Sequence, residues 1–292
     1  MTALIQLLIS GVLLGGIYAL AAFGLALIFG VSHILNLAHG EFLMLGALVC
    51  FLLGDLWGVD PFLSLVVLMP LFFLLGVLYE RGLLRTVIAK TGYEQLTASV
   101  LVTLGLSLIV EDVASTLWGA EEKGLYYSLP PLILDNGEII ISSVRLLAMG
   151  CIVVITLIVH QFISRTYLGK ALRAVTQNRR GAQLVGVNMA QVGLVTCGIG
   201  TMLAAVAGVF YILLYSINPF IGLPLTLRYL CIVVLGGLGN LFGTLLGGVI
   251  LGLTEVFTGY VFNPHWQETV AFLMLVVFLL VRPQGLFGRL QT

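Results

Sequence analysis

The chain has 292 residues, of which 60% are hydrophobic and 9% charged, with acids and bases in equal number. Soluble domains carry about a quarter charged residues, so this composition excludes a soluble globular fold. Zero net charge also leaves no basic footprint for a nucleic-acid partner.

The charges are segregated: none precedes Glu41, none lies between Gly181 and Leu227, and none between Tyr229 and Thr254. Uncharged apolar runs of about 18 residues or more read as membrane-spanning helices, because each must cross roughly 30 Å of hydrocarbon. The first run, 4–30, has no basic flank and no cleavage site and exceeds a signal-peptide core, so it reads as a retained first helix. Further spans are predicted at 42–56, 61–79, 96–117, 144–162 and 192–214. The region 225–257 is divided by glycines, and 266–281 completes the set. The expected fold is an all-α integral membrane protein, a polytopic bundle of about eight or nine transmembrane helices, some of them discontinuous. Cys50, Cys151, Cys197 and Cys231 stand singly in apolar runs and read as small core hydrophobes rather than metal or redox ligands.

The connections differ in charge. Residues 80–95 hold Arg81, Arg85 and Lys90; 164–191 hold Arg165, Lys170, Arg173, Arg179 and Arg180 and no acid. Residues 118–143 set Lys123 alone against Glu121, Glu122, Asp135 and Glu138. The positive-inside rule puts the two basic connections in the cytoplasm and the acidic one outside. Three spans before Glu80 then place Met1 outside. Arg282 and Arg289 call for a cytoplasmic C-terminus, hence three crossings after Leu214.

Three places look broken: 36–41, 218–222 and the glycines at 236–239. Each reads either as a surface loop or as a discontinuous helix whose free backbone groups face a solute path. On the second reading Asn36, His39, Gly40, Glu41, Asn218 and Gly222 are the candidate path residues, Glu41 and His39 because ionisable groups at membrane depth are costly. Small residues four apart, such as Gly11 and Gly15 or Gly248 and Gly252, predict close helix packing.

No Gly-x-x-x-x-Gly-Lys-Ser/Thr phosphate loop is present, no His-Glu-x-x-His zinc motif and no Gly-x-Ser-x-Gly elbow. Catalytic and metal sites are therefore not expected, and the chain is not expected to hydrolyse ATP. The basic stretch 167–188 mixes cations with small residues; it reads as an orienting loop, or as short helices with a small-residue face suited to a partner protein.

Six motifs in order carry a family resemblance: NLAHGE at 36–41, TYLGKALRAV at 166–175, LVGVN at 184–188, INPFIG at 217–222, VLGGLGN at 234–240 and RPQGLFG at 282–288. From Gly11 to Gly288 the chain resembles the permease subunits of branched-chain amino-acid ABC importers, in particular the shorter of their two permease types. Asn240 stands where the family usually has Ser. The resemblance implies a single transmembrane permease domain over 1–292 in the bacterial inner membrane. It implies as partners a second homologous permease, two cytoplasmic ATPases and a periplasmic solute-binding protein. No cofactor is implied for this chain; ATP and Mg belong to the ATPases. The loop 164–191 corresponds to the family's coupling loop. A short docking helix is expected near 178–185, ended by Gly186, with Asn178, Arg179, Arg180, Gly181, Ala182, Leu184 and Gly186 as the coupling residues. The transported solute is expected to be a branched-chain amino acid, moved by alternating access; related permeases carry urea, short amides and other amino acids. A stand-alone secondary transporter or channel is the reading from another class.

Overall fold

The computed structural model describes residues 2–127, 129–134, 139–237, 240–281 and 285–286. Expectations placed on Asp135, Glu138, Leu238, Gly239, Arg282 and Arg289 fall outside the described residues.

Helix α1 (Thr2–Ser32) is apolar on every face, the pattern of a helix surrounded by others. An unwound segment, 33–38, separates it from α2 (His39–Trp57). Asp60 starts α3 (Pro61–Tyr79): its Oδ1 accepts the Phe62 N–H at 2.8 Å, and Pro61 occupies the first turn, where a missing N–H is harmless. The polar composition of 80–95 predicts that α3 stops at Tyr79, and it does not. A π-helical turn (Glu80–Leu84) and α4 (Arg85–Ile88) carry the helix on, giving a 28-residue span, Pro61–Ile88. Helix α5 (Gly92–Trp118) follows. A two-stranded antiparallel ribbon, β1 (Leu132–Leu134) and β2 (Ile139–Ile141), interrupts the helical run. Helix α6 is Ser143–Arg165, and two short helices, α7 (Tyr167–Gln177) and α8 (Arg179–Leu184), lead to α9 (Met189–Ile212).

A 3-10 turn (Pro219–Ile221) opens α10 (Gly222–Gly236), and α11 (Leu241–Val261) and α12 (Trp266–Val281) close the described helices. Asn240 caps α11, its Oδ1 accepting the Gly243 N–H at 3.0 Å. Serine caps a helix in the same way, so either residue can start α11 here. Among the described residues eight helices are long and apolar enough to span a membrane; α12, at sixteen residues, is shorter. The expected count of eight or nine agrees.

Helices α1 and α9 form the centre. Helix α1 packs on α9 and α11, and α9 also packs on α2 and α3. Their contact is backbone to backbone: a Cβ built on Gly24 would stand 2.6 Å from the Gly200 carbonyl oxygen. In lipid, where apolar burial gives no preference for another helix, such close approach supplies the association energy. Helices α5 and α6 lie at the periphery and expose most of their surface.

The connections sort to two ends. At one, Lys123 and Ile217 form an isolated bridge, Tyr127 Oη donates to Asp60 Oδ2 at 2.7 Å, and Arg145 Nη1 donates to Ser10 Oγ at 3.0 Å. At the other, Glu80, Arg85 and Arg179 border one cavity beside Ser32, and the Leu286 N–H reaches the Leu235 carbonyl at 2.8 Å. The two basic connections thus share one end and the acidic connection occupies the opposite one, the partition that the charges predict.

Candidate functional site

Unwound backbone inside an apolar bundle needs partners for its N–H and C=O groups. Segment 33–38 finds them on α5. Gln95, Ser99, Thr103 and Ser107 recur every four residues, so they share one helix face, and all four are buried. Gln95 Nε2 donates to the Ser32 carbonyl at 2.8 Å, and Ser99 Oγ accepts the Leu35 N–H at 3.3 Å. Thr103 Oγ1 accepts the Leu37 N–H at 3.0 Å and donates to the Ser99 carbonyl of its own helix at 2.7 Å, with the Leu35 carbonyl 3.3 Å away. Ser107 Oγ donates to Glu41 Oε1 at 2.7 Å. Within the break, Asn36 Oδ1 accepts the Ala38 N–H at 3.2 Å and the Tyr79 hydroxyl at 2.9 Å. His33, at φ 52°, ends α1 in the left-handed region. Burial and the Arg179 guanidinium hold the His33 imidazole below the usual histidine value.

Past the break, the first turns of α2 and α10 meet. The Gly40 N–H donates to Thr226 Oγ1 at 2.7 Å, and that hydroxyl donates to the Gly222 carbonyl at 3.0 Å. Both glycines are required: a side chain on Gly40 would collide with the Gly222 carbonyl, and one on Gly222 with the Glu41 carboxylate. Glu41 therefore lies in the first turn of its own helix and against the first residue of another. Helix N-termini carry partial positive charge, which is why a buried carboxylate is tolerated there. His39 Nε2 lies 2.9 Å from the Ala21 carbonyl; a carbonyl only accepts, so Nε2 carries the proton and Nδ1 is an acceptor. Asn36, His39 and Glu41 are each at most 2% exposed. Their Asn36 Nδ2, His39 Nδ1 and Glu41 Oε2 atoms make no hydrogen bond among the described residues. The segment 36–41 thus carries one buried donor group and two buried acceptors without partners among the described residues.

Five of the six predicted path residues come together here: Asn36, His39, Gly40, Glu41 and Gly222. Asn218 does not join them. Its Oδ1 caps the 3-10 turn, accepting the Phe220 N–H at 3.0 Å. Ser107, Thr103, Ser99 and Thr226 were missed, although the four-residue polar spacing within 95–107 is legible in the sequence.

A second buried network was also missed. Arg228 Nη1 donates to Tyr18 Oη at 3.0 Å, and Tyr18 Oη donates to Glu255 Oε2 at 2.9 Å. Arg228 Nε lies 3.6 Å from Glu255 Oε1, and Nη2 pairs with Glu268 at 2.7 Å. It ties α1, α10, α11 and α12. The signal was available: Arg228 and Glu255 are lone charges inside apolar runs.

The basic connection folds as expected in outline. Asn178 caps α8, Oδ1 accepting the Gly181 N–H at 2.8 Å. The helix ends in a Schellman motif, Val187 N–H to Ala182 carbonyl and Gly186 N–H to Gln183 carbonyl, both 3.0 Å. Gly186 takes the left-handed φ, 84°, that this motif requires. Of the small residues expected on the docking face, one turns inward. Ala182 is 3% exposed and packs in the apolar core, whereas Gly181 is partly exposed and Gly186 exposed. The outward face is Arg180, Gln183, Leu184 and Val185, with Leu184 88% and Val185 79% exposed. Ala182 turns to the bundle, where a small side chain permits close approach, and the larger apolar pair is left outside.

Residues 7–279 match the family described as the permease component of branched-chain amino acid transport systems. The chain is 30% identical to the high-affinity branched-chain amino acid transport system permease protein BraD of Pseudomonas aeruginosa, over 98% of this chain and 96% of the relative. It is likewise 30% identical to LivH of Escherichia coli K12, a protein of the same description, over 98% and 96% of the two chains. Among solved structures, PsaBC from Streptococcus pneumoniae in complex with Fab shares the fold, with a TM-score of 0.52 at 16% identity over 97% of this chain and 93% of that one.

Proposed function

Because the chain belongs to the family of branched-chain amino acid transport permease components, we propose that it forms one half of the membrane route of an ATP-driven importer for branched-chain amino acids. A transport-system component is not a stand-alone carrier, and the names of its relatives favour amino acids over urea or amides. The whole chain, 1–292, acts as one permease domain in a bacterial inner membrane, beside a second, homologous permease. Two ATPases dock from the cytoplasm and use ATP and Mg²⁺, and a periplasmic binding protein delivers the solute.

The observation that carries the path reading is the meeting of α2 and α10 at Gly40 and Gly222, around a buried carboxylate with one unpartnered oxygen. An ammonium group passing this point finds Glu41 Oε2 as its acceptor, and Asn36 Nδ2 offers a donor to the solute carboxylate. Coupling runs through 164–191. Leu184 and Val185 seat in the ATPase, with Arg180 and the Gly186 turn framing them, while Arg179 at the start of α8 faces the bundle. Movement of α8 is transmitted through α7 to α6 and directly to α9, alternating access to the path.

The test is leucine uptake into proteoliposomes holding the permease pair, the ATPases and the binding protein. Hydrogen bonds to charged groups are worth about 1.5–3 kcal/mol, so Glu41→Gln should lower uptake roughly tenfold or more. Gly222→Ala, which drives a methyl into the carboxylate, should do the same with the complex still assembled. Wild-type uptake in both variants would remove the path from this site.

A further inference from the structure

At the end of the bundle that holds the basic connections, a cavity of about 220 Å³ opens between the end of α1, the π-helical turn, α8 and the start of α9. Its wall holds one acid, Glu80, and two guanidinium groups, Arg85 and Arg179. Glu80 is 5% exposed, and its Oε2 makes no hydrogen bond among the described residues. Two features make room for it. Single π-turns arise often at functional sites, because the extra residue re-aims the side chains around it, and Glu80 is the first residue of this one. Opposite stands Gly193, where an added Cβ would lie 3.2 Å from Glu80 Oε1. The rest of the wall is largely aliphatic, from Val31, Ile88 and Met189.

We infer that this cavity binds a small zwitterion, an ammonium group on Glu80 and an oxyanion on Arg85 and Arg179, with its aliphatic part against Val31, Ile88 and Met189. A simple cation would meet two guanidinium groups there, and a simple anion would meet the Glu80 carboxylate. A molecule carrying both charges pairs each. The volume lies below the roughly 300–1,000 Å³ of pockets for drug-sized ligands, so the occupant is of amino-acid or headgroup size. Two sources offer this chemistry: a free aliphatic amino acid and the headgroup of phosphatidylethanolamine. Arg179 is the first residue of α8 and Met189 the first of α9, so an occupant ties the π-turn to the coupling helix. An internal amino acid bound here restrains that helix and slows further import. This consequence rests on the proposed transport function; occupancy of the cavity does not.

The experiment uses the assembled complex without its binding protein, in nanodiscs of phosphatidylglycerol. Radiolabelled L-leucine should bind saturably, and at least tenfold more weakly to Glu80→Gln. 4-Methylpentanoate, which lacks the ammonium, and 3-methylbutylamine, which lacks the carboxylate, should compete poorly. In parallel, native mass spectrometry after exposure to phosphatidylethanolamine reads lipid retention. Retention lost in Glu80→Gln, with no leucine bound, identifies the headgroup as the occupant. If Glu80→Gln fails to assemble, Arg85→Gln, on the exposed rim, gives the same reading. In proteoliposomes, the ratio of uptake with and without internal leucine should fall below one in the wild type and return toward one in the variant. Leucine binding without uptake in the wild type would sink the transport reading alone. Unchanged binding of both leucine and lipid in the variants overturns the site.

Discussion

Thr103 shows how a single hydroxyl sustains a broken helix. Its Oγ1 accepts the Leu37 N–H while donating to the Ser99 carbonyl one turn back, so one buried side chain ties α5 to the unwound segment. Thr103→Val keeps the shape and leaves the Leu37 donor unsatisfied, at a cost of about 1–3 kcal/mol. Thermal melting of the purified protein should show this loss, and Thr103→Ser should restore most of it; equal melting of all three proteins would mean that the break is held by other contacts. The Arg228 network allows a sharper contrast, because its two acids differ in burial: the Glu255 side chain is 1% exposed and the Glu268 side chain 59%. Removing one member of a buried pair strands the other and costs about 3–5 kcal/mol, whereas an exposed pair is worth about 0–1 kcal/mol. Glu255→Ala should therefore depress the melting temperature far more than Glu268→Ala, and the reverse order would refute the assignment.

Among the elements, α8 is the one whose orientation changes the interpretation. With Ala182 inside and Leu184 and Val185 outside, docking is an apolar contact rimmed by charge. Leu184→Asp should abolish co-purification of the ATPases and leave the permease folded. Ala182→Trp acts on the fold instead, since overpacking costs about 1–3 kcal/mol, and its effect should appear as a lower yield of intact permease. Arg180→Ala, at an exposed charge, should reduce ATPase binding only mildly. Full ATPase binding by Leu184→Asp would place the docking surface elsewhere.

For the whole molecule, the arrangement of ends predicts sidedness. A cysteine at Glu122, beside Ser216 at the acidic end, should react with an impermeant thiol reagent from outside intact cells. A cysteine at Arg180 should react only after lysis. Of the four native cysteines, Cys50, Cys197 and Cys231 are buried and Cys151 is half-buried within α6, so Cys151 is replaced by Ser in the test protein. Labelling of the Arg180 position from outside would invert the topology.

Apolar run lengths and charge placement were enough to determine the membrane class, nearly all the spans and the partition of the connections. These are properties of consecutive residues: hydropathy and charge are written locally. The breaks at 36–41 and 218–222 were legible for the same reason, since a polar or proline cluster interrupts an apolar run wherever it stands. Which groups meet at those breaks was not. Glu41 touches Gly222 and Ser107, and Tyr18 joins Glu255 across 237 positions, only because α1, α2, α5, α10 and α11 pack in one particular order. The continuation of α3 through the π-turn, which places Glu80 in its cavity, and the inward rotation of Ala182 depend likewise on what lies opposite. Local composition specifies that a helix forms; the neighbours decide which of its faces is buried, and with it which polar atoms are left to meet a solute.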